Sequence, residues 1–89
     1  MRSFTNTKGF KIIKTSVAEV RAVGGYALCD GCNLPTSSGY LIPALGSYWY
    51  CQKCYDDWNK YAKFYEEDVE FETQMHDNWI KIFKEKGII

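Results

Sequence analysis

Two Cys-x-x-Cys pairs, Cys29-Asp30-Gly31-Cys32 and Cys51-Gln52-Lys53-Cys54, constrain this chain more than anything else in it. Eighteen residues separate the pairs, a spacing at which two such pairs converge on a single zinc ion. Two residues between cysteines let a tight turn aim both sulfurs at one ion while its backbone N–H groups point at the thiolates. Those N–H groups matter because a four-thiolate zinc site carries a net charge of about minus two. Asn33 follows the first pair directly, and Asn tolerates the left-handed conformation that such a turn demands. The second pair stands where a strand-like pattern gives way to a helical one. The first turn of a helix offers free N–H donors and a partial positive charge to a thiolate. Cys29, Cys32, Cys51 and Cys54 are therefore the expected ligands of one Zn2+ ion, and four cysteines leave no open coordination position, so its role is structural.

A metal staple suits a chain of this length. With 89 residues, a domain buries only about 60–65% of the surface its unfolded chain exposes. The aromatic content, 17% of residues, adds large buried area per side chain. The competing readings of the cysteines are free core thiols, redox-active dithiols, and iron in a rubredoxin-like site. Neither pair sits in a recognisable thioredoxin context. Ligand type alone does not separate iron from zinc, but neither pair holds the proline that rubredoxin knuckles carry, so zinc leads.

The chain reads as one domain in three parts. Residues 1–25 supply a short strand at Phe10–Lys14 and a brief helix opened by a Ser16/Glu19 capping box and ended at Gly24. Residues 26–65 begin with an extended segment at Tyr26–Leu28. A hairpin follows, with strands over Gly39–Ala44 and Ser47–Tyr50 around a Leu45-Gly46 turn, Pro43 falling at a strand end. From Cys51 to Lys86 there is neither Gly nor Pro. Apolar residues at 54, 55, 58, 61, 62, 65 and 69, then at 71, 75, 79, 82 and 83, have helical spacing. We read two helices, broken near 66–69 where Glu66, Glu67, Asp68, Glu70 and Glu72 would repel along one rod; a single rod is the alternative. Gly87 ends the second helix, which occupies residues 66–89.

Knuckle, hairpin and ligand-bearing helix start, over roughly residues 26–65, resemble the treble-clef zinc fingers, the GATA and LIM types among them. The resemblance implies that Cys29 and Cys32 are knuckle ligands and that Cys51 and Cys54 are helix-end ligands. It implies a small α+β zinc domain with a treble-clef-like core followed by a second, C-terminal helix. Two departures limit it. GATA fingers continue their second pair with basic residues that hold DNA, whereas here Tyr55-Asp56-Asp57-Trp58 follows. LIM domains fuse two fingers, and this chain has ligands for one.

Charge bears on partners. Formal net charge is zero, and binding zinc as four thiolates makes the protein about two units more negative, a poor start for non-specific phosphate binding. Arg2, Lys8, Lys11, Lys14 and Arg21 nevertheless oppose a single Glu19 in residues 1–28. The carboxylates at 66–72 adjoin along a helix end and do not suggest a converging catalytic pair; His76, the only histidine, reads as an ordinary exposed residue. No enzyme is expected. Tyr40, Tyr48, Trp49 and Tyr50 lie beside the site as candidate binding residues, with Tyr48 and Tyr50 facing away from Trp49 on a strand that alternates. The leading expectation is a zinc-stabilised binding module, an adaptor or regulator working through protein–protein contacts. The alternative is a GATA-like nucleic-acid-binding transcriptional regulator with residues 1–28 as its basic face. A second copy of the chain is among the partners an aromatic surface of this kind suits. The N-terminal stretch has no apolar signal-type region and no run reaches membrane-span length, so the expected location is the cytoplasm, where paired cysteines more often hold metal than disulfide.

Overall fold

Ile12 and Ile13 are adjacent in a strand, point to opposite faces, and are both fully buried. A sheet buried on both faces has to be covered from both sides, and the rest of the fold provides the covers. The computed structural model describes all 89 residues, Met1–Ile89. It is a small α+β structure with a four-stranded antiparallel sheet in the order β1-β2-β3-β4: Arg2–Thr5, Lys11–Ser16, Ser38–Leu41 and Trp49–Tyr50. Helix α1 (Val17–Ala22) follows β2, α2 (Gln52–Tyr61) follows β4, and α3 (Val69–Glu85) closes the chain.

Register sets the two faces. Ile13 pairs with Leu41, and Leu41 with Trp49; these three join Val20 of α1 and Phe83 of α3 in one core. Lys14 pairs with Tyr40 and Tyr40 with Tyr50, so the other face carries Ile12, Tyr40 and Ile42, which pack with Phe10 and with Tyr55 of α2. The cysteines of the second pair therefore sit on the helix that covers one face of the sheet.

Local signals explain most elements. Ser16 and Glu19 form the expected capping box, each side chain bonded to the other's backbone N–H. At Gly87 the helix ends with Ile88 N–H donating to the Phe83 carbonyl and Gly87 N–H to that of Lys84, the paired closure that a residue of positive φ permits. Strand β1 was not expected. Its sequence, Arg-Ser-Phe-Thr, is an exposed edge with one apolar side chain, and no periodicity marks it. What forms it is Asn6, whose Oδ1 accepts from the N–H groups of Lys8 and Phe10 and whose Nδ2 donates to Tyr55 and Asn59. That tight turn brings residues 2–5 back along β2.

The hairpin is shorter than expected. Strand β3 stops at Leu41 and β4 is only Trp49–Tyr50, because Pro43 opens a 3-10 turn over Pro43–Leu45. A proline with fixed φ and no donor belongs at the start of such a turn, not in a ladder. The helical region is two helices, but α2 already ends at Tyr61, and residues 62–65 run extended into a 3-10 turn at Glu66–Asp68. The break thus includes the expected acidic stretch, with Glu66, Glu67 and Asp68 in the 3-10 turn and Glu70 and Glu72 in the first turn of α3. Lys8 reaches across to donate its ammonium to the carbonyls of Lys60 and Ala62, ending α2 with a tertiary contact that the helix's own sequence does not reveal.

Candidate metal centre

The knuckle is built by the backbone. Leu28 bridges Pro35, Cys29 N–H donates to the Leu34 carbonyl and Asn33 N–H to that of Cys29. Asn33 sits at φ 63, the left-handed turn expected of it. The Cys29 sulfur, fully buried, accepts from Gly31 and Cys51 N–H at 3.3 Å each and from Cys32 N–H at 3.5 Å. Cys51 is the residue just before α2, and Cys54 lies in that helix's first turn.

The four Sγ atoms lie within 4.8 Å of one another, Cys32 and Cys51 at 3.9 Å. Tetrahedral zinc with bonds of about 2.3 Å sets its sulfurs about 3.8 Å apart. The arrangement is therefore close to the one a bound metal requires, and its donor set suits a soft or borderline cation. Four cysteines stand ready to hold one metal ion. Comparison with protein-family models, curated proteins and solved structures gives no match.

Electrostatics points the same way. Burial pushes the Cys29 thiol up, but N–H groups of Cys51, Cys32 and Gly31 outweigh it and bring it down to about 6. Cys54 is pushed up to about 12, first by burial, then by the sulfurs of Cys29, Cys51 and Cys32 and the charge on Cys29. Four thiols this close resist sharing more than a little negative charge among themselves, and a divalent cation relieves that conflict.

Two neighbours of the cysteines were not foreseen. Asp30 and Trp49 are doubly bonded: Asp30 N–H donates to the Trp49 carbonyl, and Asp30 Oδ2 accepts from Trp49 N–H, both at 2.8 Å. That pair fastens the knuckle to β4 beside the second cysteine pair. An Asp inside a Cys-x-x-Cys turn was the only signal in the sequence. Asp30→Ala removes a charged acceptor and is expected to cost about 1–3 kcal/mol, read as a lowered urea midpoint, with Asp30→Asn, which keeps an acceptor oxygen, recovering part of the loss. Gly31 passes close to Cys54: a Cβ there would lie 2.9 Å from the Cys54 sulfur and 3.0 Å from its Cβ. Gly31→Ala is expected to push these apart at about 1–3 kcal/mol, which a zinc-competition titration would read as roughly a tenfold or greater loss of affinity.

The four aromatic candidates separate into two pairs. Trp49 is buried against Thr15 and Leu41, and Tyr40 is buried in a stack on Tyr55 with ring centroids 4.2 Å apart and its hydroxyl donating to Gln52. Both belong to the core because the sheet is covered on both faces, so neither is open to a partner. Tyr48 is exposed and Tyr50 half-buried, their rings 6.0 Å apart. They do lie opposite Trp49. His76 is half-buried rather than exposed, with Nε2 2.7 Å from the Ser3 hydroxyl and Nδ1 3.1 Å from Asp77. It ties α3 to the edge strand β1 and lies outside the cysteine cluster.

Proposed function

We propose that Cys29, Cys32, Cys51 and Cys54 hold one structural zinc ion in a treble-clef-like arrangement, and that the chain is a non-enzymatic binding module acting on a protein partner. The metal part is supported by the cysteine geometry above. The binding part is carried by one observation: exposed aromatic side chains are concentrated along the stretch that runs from the end of α2 into the start of α3. Tyr61, Phe64, Tyr65 and Phe71 are all exposed, and the exposed carboxylates Glu66, Glu67, Asp68 and Glu70 lie among them in the chain. An apolar patch edged with acids suits a protein surface carrying apolar and basic groups, and it repels phosphate.

The nucleic-acid alternative needs free cations in the N-terminal segment, and several are engaged. Lys8 is bonded to backbone carbonyls of α2, Arg2 lies over the Phe4 ring at 5.1 Å and Lys14 over Tyr40 at 5.4 Å. No helix is long and apolar enough to cross a membrane.

The deciding experiment is affinity capture with the zinc-loaded protein, alongside a Tyr65→Ser/Phe71→Ser double variant of unchanged circular dichroism and zinc content. Retention of a protein partner through moderate salt, lost in the double variant, is the expected result. Retention on heparin or DNA with affinity falling steeply as salt rises would favour the alternative.

A further inference from the structure

Glu72 is 98% buried by its 2% relative exposure, yet the protein gives it one hydrogen bond: its Oε2 accepts from Lys11 N–H at 3.1 Å. No buried side-chain polar atom lacks a partner, so the second oxygen reaches open space. That space is a cavity of about 210 Å3 on the α2 side of the molecule, away from the cysteines. Its walls include Phe10, Trp58, Phe64 and Tyr65, with Asp68 and Glu72 as the acidic groups. Trp58 and Phe64 flank Phe10 with ring centroids 4.9 and 5.4 Å from it.

Lys63 is the one base in the lining, and it is exposed and makes no ion pair with either carboxylate. A carboxylate group kept almost wholly out of water with no cationic partner is costly to maintain. Aromatic walls attract a cation through the negative faces of their rings. An unmodified ammonium is strongly hydrated and brings three donors to a site with few acceptors. An N-methylated ammonium is weakly hydrated, apolar in shape and still positive. A cavity of about 210 Å3 takes such a head group and its first methylenes.

We propose that this cavity is a binding site for an N-methylated ammonium group, with Glu72 as its buried counter-charge and Phe10, Trp58, Phe64 and Tyr65 as its walls. The site is independent of the metal reading, and small cations test it without any protein partner.

The test is an NMR titration of the zinc-loaded full chain, following the Trp58 indole N–H. Choline is compared with 3,3-dimethylbutanol, its neutral isostere, and with a short peptide bearing trimethyllysine or unmodified lysine. Choline should saturate the signal with a dissociation constant of about millimolar order, at least about tenfold tighter than the neutral isostere. Glu72→Gln keeps the acceptor for Lys11 N–H and should lose choline about tenfold with zinc content and melting temperature unchanged. Should that variant misfold, Asp68→Asn, on an exposed residue, should weaken choline about twofold or more. Tighter binding of the trimethyllysine peptide than of choline would identify a protein side chain as the source, and equal binding a small molecule. Equal affinity for choline and the neutral isostere would overturn the proposal. So would full affinity in a folded Glu72→Gln protein, or no shift at about 50 mM ligand.

Discussion

Removing the metal with a strong chelator is expected to unfold the knuckle and the start of α2, and to lower the melting temperature of the whole chain by tens of degrees. Structural zinc contributes about 10–16 kcal/mol of apparent binding free energy in zinc-finger peptides at neutral pH, against a total stability of about 5–15 kcal/mol for a typical domain. Here the knuckle has little else to hold it. Leu28, Cys32, Asn33, Leu34 and Pro35 are exposed, and the segment is tied down by the Leu28–Pro35 bridge, two turn hydrogen bonds and the Asp30–Trp49 pair. Without a cation, Cys54 is left pushed up to about 12 by burial and by its neighbouring sulfurs. The two cores of the sheet do not depend on sulfur except through Cys29, so residual sheet structure is expected after chelation, with loss of fixed aromatic packing. Native mass spectrometry and circular dichroism before and after chelation read both effects. An unchanged near-ultraviolet spectrum and melting temperature in zinc-free protein would show that the metal is not structural.

Acid should act as a chelator does. The folded metal-free protein holds Cys29 down to about 6, below its ordinary value of 9.0, so this group's stabilisation is full above pH 9 and is lost as pH falls through about 6. Cys54 is displaced in the opposite direction, so between pH 9 and about 12 its reluctance to ionise disfavours the fold. Zinc reverses that second effect by taking thiolates. Each thiol that must still lose its proton adds about a tenfold fall in apparent zinc affinity per unit of pH lowered. The metal should therefore leave steeply below about pH 6, where Cys29 also gains its proton.

Sequence and structure agree where a local pattern carries the information. The two Cys-x-x-Cys pairs, the Ser16/Glu19 capping box, the left-handed Asn33 and the Gly87 closure are each fixed by residues within a few positions of one another. What escaped is long-range. Asn6 makes β1 by bonding to Tyr55 and Asn59, some fifty residues away. Lys8 ends α2 from the other end of the chain. Tyr40 and Trp49 carry the same composition signal as Tyr48 and Tyr50, and only the presence of covers on both faces of the sheet sends the first two inside. Glu72 is one acid in a run of acids by sequence. Its burial comes from where α3 crosses the start of β2, which no spacing rule marks.

Trp49 is where core and metal centre meet, and Trp49→Ala is expected to be the most damaging single change outside the cysteines. The residue is 3% exposed and packs with Ile13, Leu41 and Phe83. Its indole N–H donates to Thr15 at 2.9 Å, and the ring lies directly on Gly39, where an added Cβ would come within 2.4 Å of it. Gly39 is therefore needed for this close approach: the sheet supplies a gap and the indole fills it. Emptying a site of this kind costs about 3–5 kcal/mol, and the buried Thr15 hydroxyl left unpaired adds about 1 kcal/mol. The sum approaches the stability of a small domain. Because the proposed zinc would bind only the folded state, the loss should also surface in metal affinity. Once the metal-free fold is exhausted, each further 1.4 kcal/mol or so of destabilisation weakens apparent zinc binding about tenfold. Trp49→Phe keeps one ring but loses the other and the N–H donor, so it should cost less than Trp49→Ala. Gly39→Ala, which leaves Trp49 present but displaced, should fall between them. Urea midpoints and zinc competition on the three variants should thus rank Trp49→Ala, Gly39→Ala, Trp49→Phe in both readouts. A Trp49→Ala protein with unchanged midpoint would mean that the knuckle and the sheet are held together by the metal alone.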